Sequence, residues 1–156
     1  MDVLLGYLHA LAAAVLVGKV VLLSFVVAPV LASQLQQESF ASVVRRLFPA
    51  YYALGMGAAL LGVLCVVMLG MIHEPNTARH VAAGFWLLIL AAEAYCRAPL
   101  TPQSNAMRDR LADQARQGAV DPALQDKWDR LHRRSLCLNF LVLIAGLCLV
   151  ALAREL

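Results

Sequence analysis

The sequence predicts an all-α integral membrane protein: a four-helix bundle with a cytoplasmic amphipathic helix between the third and fourth helices. Residues 3–33 form a 31-residue stretch in which Lys19 is the only charge. At 1.5 Å per residue a helix of that length extends about 46 Å, more than the roughly 30 Å hydrocarbon core of a bilayer. Hydrophobic residues make up 62% of the chain, and charged residues only 15%. In soluble domains roughly 45–50% of residues are apolar and roughly 25% are charged. Three further helices are predicted at residues 47–72, 81–98 and 122–153.

Positive charge is distributed unevenly around this single transmembrane domain, residues 1–156. With four crossings, the first loop and the loop 99–134 share one side, which carries ten Lys and Arg residues up to the helix ends; the other side carries two. Cytoplasmic loops are enriched in Lys and Arg. We therefore expect a bacterial inner membrane protein with both termini in the periplasm. Attraction to anionic lipid accounts for the net charge of +3 without nucleic acid as a partner.

Two ionisable residues lie in the first helix. His9 is about two turns from its outer end, and Lys19 is near mid-depth on a neighbouring face. Lys19 is either a snorkelling or carbonyl-bound amine, or a functional charge, which is the default interpretation of an intramembrane ionisable group. Pro29 lacks a backbone donor, so we expect it to bend or end the helix.

The second helix is predicted to begin at the membrane interface. Pro49 suits a first turn, and the aromatic residues after it suit the level of the headgroups. Small residues then recur on one 80° face of the helix, where they allow close approach of a neighbouring helix. We interpret this stripe as a packing surface, formed by Tyr52, Gly55, Ala59 and Gly62.

The third helix carries two charges near its cytoplasmic end. Glu93 and Arg97 are one turn apart and can pair, which lowers the cost of placing either near the interface. This pairing is the favoured interpretation. The competing hypothesis is that Glu93 reaches Lys19 across the bundle, so that two costly intramembrane charges neutralise each other.

The long loop contains a predicted surface helix and the start of the last crossing. Met107, Leu111 and Ala115 recur at helical spacing among charged residues, and Gly118 supplies a stop. Asp121 followed by proline is a helix start signal. Beyond it, polar and small residues share one face that should point into the bundle, with a structural hydrogen-bonding role favoured: Trp128, His132, Ser135, Asn139 and Gly146.

Histidines and cysteines offer weaker candidate sites. His9, His73 and His80 all lie towards the outer side and could ligate a metal, although loop histidines are commonly just solvated. The four cysteines lack the Cys-x-x-Cys spacing of zinc or redox sites. Cys65 and Cys148 share a predicted depth, which allows a disulfide, but burial as small apolar residues accounts for all four.

The two halves of the chain show a short internal repeat. Ala-Pro ends the first and third helices, at residues 28–29 and 98–99, and Arg-Arg precedes the second and fourth. Each half would then be a hairpin of the same orientation, which predicts parallel pseudo-symmetry about the membrane normal.

Three runs of sequence resemble the four-helix membrane family typified by transmembrane protein 205: SFVVAP at residues 24–29, LFPAYY at 47–52 and LHRRSLCLN at 131–139. The resemblance extends over nearly the whole chain. It implies a membrane bundle whose biochemical activity is not established, with motif positions at His132, Ser135 and Asn139. Lys19 departs from the family pattern, in which a polar or apolar residue is expected.

The opening of the first helix is also similar to that of small haem-binding membrane proteins. Leu8-His9 is followed by an apolar run to Gly18, as in the four-helix protoporphyrinogen oxidase family and copper-resistance membrane domains. In such bundles a histidine can hold haem iron, so the resemblance implies His9 as a haem or metal ligand. The tryptophan expected before the glycine is absent here.

Three functions from different classes follow. The leading one is a non-catalytic accessory or assembly subunit of a larger membrane complex, because small-residue stripes favour helix packing and no catalytic constellation appears in the sequence. The lipid bilayer and other membrane subunits, or a second copy of the chain, would be its partners. The alternatives are a haem- or metal-binding membrane protein that uses His9, and a small-molecule or metal-compound permease with Lys19 in its path.

Overall fold

The computed structural model describes residues 1–155, which are helical apart from short connections and contain no strand. Four helical stretches are long and apolar enough to cross a membrane, so the chain is an integral membrane protein: Asp2–Gln34, Gln37–Ile72, Thr77–Arg116 and Pro122–Leu152. Six α-helices build them: α1 (Asp2–Leu22), α2 (Ala28–Gln34), α3 (Gln37–Ile72), α4 (Thr77–Tyr95), α5 (Thr101–Arg116) and α6 (Pro122–Leu152).

Proline does not end the first stretch. A π-helical turn, Leu23–Val27, joins α1 to α2, and the Ala28 amide donates to the Leu23 carbonyl. Proline lacks the amide that would bond four residues back, and its ring crowds that carbonyl. The wider i to i+5 turn accommodates both effects immediately before Pro29. The helix therefore continues to Gln34.

The second Ala-Pro pair lies inside a turn of the same kind, whereas the first pair directly follows its turn. The π-helical turn Cys96–Leu100 contains Pro99, and the Thr101 hydroxyl donates to the Cys96 carbonyl at 2.7 Å. The helix predicted to end at residue 98 instead continues without a loop into α5. The two halves of the chain thus share this turn, as well as the dipeptide that causes it.

Helix α3 begins ten residues earlier than the predicted position 47. Residues 37–46 extend the helix, and Val44 is buried there. Pro49 consequently lies inside a helix and not in a first turn. At the other hairpin, α6 begins at Pro122, where the Asp121 side chain accepts a hydrogen bond of 2.9 Å from the Ala123 amide.

The four long helices form a closed ring. Helix α1 packs against α3 and α6, and α4 packs against the same two helices, so α1 and α4 occupy diagonal positions. This placement agrees with parallel pseudo-symmetry of the two hairpins. Only side chains meet across the diagonal, and small residues on the flanking helices make the space for them. The outer faces carry large exposed apolar side chains, as expected for surfaces in contact with lipid.

Candidate functional site

A buried ion pair joins the diagonal helices at the centre of the bundle. Lys19 Nζ of α1 donates to Glu93 Oε1 of α4 at 2.6 Å, and the two side chains are only 4% and 1% exposed. The favoured pairing of Glu93 with Arg97 is therefore wrong. Arg97 is exposed, although it lies only one turn from Glu93, and it belongs to the π-helical turn Cys96–Leu100 that follows α4.

Tyr51 of α3 supplies further contacts of the ammonium group. Lys19 Nζ donates to the Tyr51 carbonyl oxygen at 3.3 Å and lies 3.9 Å from the centre of the Tyr51 ring. An isolated charge in lipid is costly, whereas a partner of opposite sign, a carbonyl and an aromatic face together replace lost hydration. The environment therefore suits a permanently paired lysine.

Glycine at position 55 makes the space for this pair. A Cβ atom there would overlap both the Glu93 carboxyl group and Lys19 Nζ. One further layer along α3, a Cβ at Gly62 would overlap the indole of Trp86. The stripe predicted on α3 does face the bundle, and each glycine admits one large or charged group from α4.

Hydrogen bonds connect the ion pair to α6. We call the four residues involved the α3–α6 polar cluster: Tyr51, Tyr52, Ser135 and Asn139. The Tyr51 hydroxyl donates to Asn139 Oδ1 at 2.9 Å, and Asn139 Nδ2 donates to the Ser135 carbonyl at 2.9 Å. The Tyr52 and Ser135 hydroxyls are 3.3 Å apart. Since Tyr51 contacts Lys19 as well, all four long helices are linked through polar groups.

His132 does not join this cluster. It is exposed and stacks on Trp128, with ring centroids 5.0 Å apart and planes 5° apart. Gly146, further along the same stripe, does face the bundle, where its Cβ position lies against Val17 and Leu16 of α1. The predicted stripe thus divides: Gly146 faces the bundle, whereas His132 is exposed, although its neighbour Leu131 packs against the core.

His9 is completely buried and packs against Trp86 of α4. The ring centroids are 5.6 Å apart with the planes nearly perpendicular. Neither ring nitrogen has a hydrogen-bond partner among residues 1–155. His9 and Trp86 therefore form a second layer across the diagonal, alongside the layer that contains the ion pair.

The other predicted metal ligands lie elsewhere. His73 Nε2 is 3.2 Å from the Asp2 carboxylate, and His80 Nδ1 is 2.9 Å from the Asn76 carbonyl oxygen. Within residues 1–155, no three His, Cys, Asp or Glu side chains are grouped so that they could hold a metal ion. All four cysteines are free, so Cys65 and Cys148 form no disulfide.

Sequence reasoning missed the roles of Tyr51 and Trp86. The sequence predicts Tyr51 at the level of the headgroups, yet it is 7% exposed and central to the site. Its spacing of one helical turn from Gly55, in the predicted packing stripe, was the available signal. Trp86 carried no comparable signal, because a tryptophan in an apolar run fits lipid-facing and buried positions equally well.

Fold and site together define an integral membrane protein of the helical-bundle class, held by a charge pair across its interior. The chain belongs to the family described as "Domain of unknown function (DUF4149)", which matches residues 11–112. The matched region contains Lys19, Tyr51, Gly55 and Glu93, and it leaves out His9 and all of α6. No curated protein and no solved structure matches the chain.

Proposed function

We propose that this protein is a non-catalytic accessory or assembly subunit of a larger membrane complex, and that it binds a transmembrane helix of another subunit. The observation that supports this function best is a groove of about 370 Å³ between α1 and α3, on the outside of the bundle. Among residues 1–155, no polar or charged residue lines the groove, which is formed by Leu11, Val15, Ala53, Leu54, Gly57, Ala58 and Leu61.

The floor of the groove has the spacing of a helix-packing motif. Ala53 and Gly57 are one turn apart on α3, and both are exposed. A Cβ atom at Gly57 would have no heavy atom within 4 Å, so nothing in this chain occupies the space above it. Small residues four apart allow a second helix to approach closely in lipid, where van der Waals packing contributes strongly to association.

The interior favours an architectural role. Lys19 is paired, and Gly55 leaves no room beside the pair for a larger side chain. A permease that used Lys19 would need a path to this amine, whereas the side chain is 4% exposed. A pair buried in this way is better suited to keeping four helices in one arrangement while a partner binds outside.

Crosslinking in the native membrane tests the proposal directly. A photo-crosslinking residue at Leu54, in the groove, should capture one defined membrane subunit or a second copy of the chain. The same residue at the exposed Leu88 of α4 is the control and should capture neither. Mass spectrometry of the crosslinked product identifies the partner.

A matched pair of glycine variants then tests the groove. Gly57→Leu should abolish co-purification, without crosslinking, of the partner that the crosslink identified, when the protein is extracted in mild detergent. Gly84→Leu, at an equally open and exposed position on α4, should leave recovery unchanged. A monodisperse protein without a partner, or equal behaviour of both variants, would contradict the proposal.

The orientation and the membrane are part of the same proposal: a bacterial inner membrane, with α5 as an amphipathic helix in the cytoplasm and both termini in the periplasm. Thr77–Arg116 spans 40 residues. A helix of that length is about 60 Å long, roughly twice the hydrocarbon core, so α5 would extend beyond it. With Cys137 replaced by Ser, a membrane-impermeant maleimide should label Asn76→Cys in intact spheroplasts. It should label Gln117→Cys only after the membrane is opened.

The likeness to the transmembrane protein 205 family also belongs to this proposal. Two of its motif positions, Ser135 and Asn139, lie in the α3–α6 polar cluster, and the third, His132, is exposed. Within that family the positions would serve helix packing. Restoration of complex assembly by a member of that family, in cells that lack this chain, would support the relationship.

A second candidate function, haem or metal binding, is favoured by one observation: both ring nitrogens of His9 lack a hydrogen-bond partner among residues 1–155. The test is the absorption spectrum of protein gently extracted from its native membrane, in oxidised and reduced forms. A Soret band that disappears in His9→Ala would establish the cofactor. A spectrum of aromatic residues alone would remove haem from consideration.

A further inference from the structure

A second concavity lies between the polar helix α5 and the start of α6, and its lining is charged where that of the groove between α1 and α3 is apolar. It has a volume of about 400 Å³ and opens to the surface. We call it the cationic pocket, and it is lined by Gln103, Ala106, Met107, Arg110, Lys127, Arg130, Leu131 and Arg134. Half of these side chains are positively charged and none is acidic, so the pocket concentrates positive charge.

Three of the carboxylates on α5 and α6 have other partners. On α5, Asp109 pairs with Arg45 of α3, and Asp113 pairs with Arg116. On α6, Asp129 accepts a hydrogen bond from Gln125 at 3.0 Å. Within residues 1–155, none of the four pocket cations lies within ion-pair distance of a carboxylate: Arg110, Lys127, Arg130 and Arg134.

Four like charges around one concavity repel each other, and an anion placed between them removes that repulsion. Arginine is well suited to a phosphate group, because its planar guanidinium can donate two parallel hydrogen bonds to phosphate oxygens. The charge arrangement therefore points to a ligand that carries a phosphate.

Among ligands that carry a phosphate, the apolar part of the lining and the position of the pocket favour a lipid. Met107 and Leu131 offer apolar contact beside the cations. Arg134 Nη1 donates to the Tyr95 hydroxyl at 2.9 Å, immediately before the apolar part of α6 begins. Tyrosines and arginines at such a position mark the level of the headgroups. A ligand here would contact cations at one end and the apolar part of the bundle at the other, which matches the charged headgroup and the acyl chains of a phospholipid.

We propose that the cationic pocket binds the phosphate of an anionic phospholipid, held by the guanidinium groups of Arg110, Arg130 and Arg134. The apolar lining contacts the glycerol region. This site is separate from the groove between α1 and α3, and the proposal does not depend on the identity or existence of a protein partner.

The test measures lipid retention by the full chain in detergent. Protein is titrated with phosphatidylglycerol, with phosphatidylcholine as the zwitterionic control, and bound lipid is counted by native mass spectrometry. We expect one phosphatidylglycerol per chain to be retained preferentially. The double variant Arg110→Gln, Arg130→Gln should weaken its binding at least about tenfold, because two charge-assisted contacts to the phosphate are lost.

The matched control is the double variant Arg46→Gln, Arg133→Gln. It removes the same charge from exposed arginines that do not line the pocket, one of them next to Arg134 in sequence. This control should change affinity by less than about twofold, since it loses only long-range attraction. Equal losses in the two double variants would overturn the pocket as a site and leave general surface attraction.

Inorganic phosphate separates a lipid from a free anion. If added phosphate at the same concentration as the lipid displaces phosphatidylglycerol, the ligand is a soluble phosphate compound and the lipid assignment is overturned. Retention of phosphatidylglycerol against phosphate supports the lipid, because the apolar contacts are then part of the binding. All four substituted arginines are exposed, so the variants should fold as the original chain does.

Discussion

In the bundle interior two opposite charges meet at 2.6 Å, whereas in the cationic pocket four cations face one concavity without a carboxylate. The difference follows from the surroundings. A charge in a low-dielectric interior must be compensated within the protein. At a wet surface, water and salt tolerate charges of one sign until a ligand arrives. Paired charge here marks a structural element, and uncompensated charge marks a place for something else to bind.

The largest expected effect comes from separating the buried pair. Lys19→Met should destabilise the detergent-solubilised protein by about 3–5 kcal/mol, because it leaves the Glu93 carboxylate buried without a partner. The loss should be far smaller in the double variant Lys19→Met, Glu93→Gln, in which neither charge remains. Unfolding curves of the original chain, of the single variants Lys19→Met and Glu93→Gln, and of the double variant give the coupling energy. Additive losses would show that the pair does not act as a unit.

Filling the space beside the pair should have the next largest effect. Gly55→Ala places a methyl group against the Glu93 carboxyl and Lys19 Nζ, and overpacking of this kind costs about 1–3 kcal/mol. Gly57→Ala, two residues away in open space, is the control. It should have no cost and should gain up to about 1 kcal/mol, since alanine is the better helix former. Similar thermal unfolding of the two variants would contradict the geometry at Gly55.

A smaller effect is expected from the α3–α6 polar cluster. Tyr51→Phe removes the hydroxyl bonded to Asn139 and keeps the aromatic ring beside Lys19. Interhelical hydrogen bonds in membrane proteins average about 0.6 kcal/mol, so the loss of stability should be of that size. Tyr7→Phe is the control, because Tyr7 is 64% exposed on the outer face of α1. A loss of several kcal/mol would mean that the hydroxyl also supports the ion pair.

The smallest effect should come from an exposed ion pair, which provides the counterpart to the buried one. The Arg45 and Asp109 side chains are 46% and 55% exposed. Asp109→Asn should therefore cost no more than about 1 kcal/mol, and 1 M salt should remove that cost. The cost of Lys19→Met should persist at the same salt concentration. A salt-insensitive cost at Asp109 would place this pair among the structural charges.

The Ala-Pro sites show how far local reasoning extends. Proline at positions 29 and 99 correctly indicates a disturbed helix, since the missing amide is a property of the residue. The helix continues past proline only if its backbone can adopt another hydrogen-bond pattern. Continuation also depends on what α2 and α5 pack against. Here the π-helical turns allow continuation, and α5 packs along α6.

Four helices of membrane-spanning length follow from the sequence alone, because in lipid the backbone must bond to itself and the length of each apolar run decides whether it can cross. The inward direction of the α3 stripe and of Ser135 and Asn139 also follows from helical periodicity. The tertiary structure alone decided that Glu93 pairs with Lys19 and that His132 lies outside the bundle. A helical wheel gives directions around one axis. Which residues meet depends on the rotation and relative depth of separate helices, and these are settled only when the helices pack together.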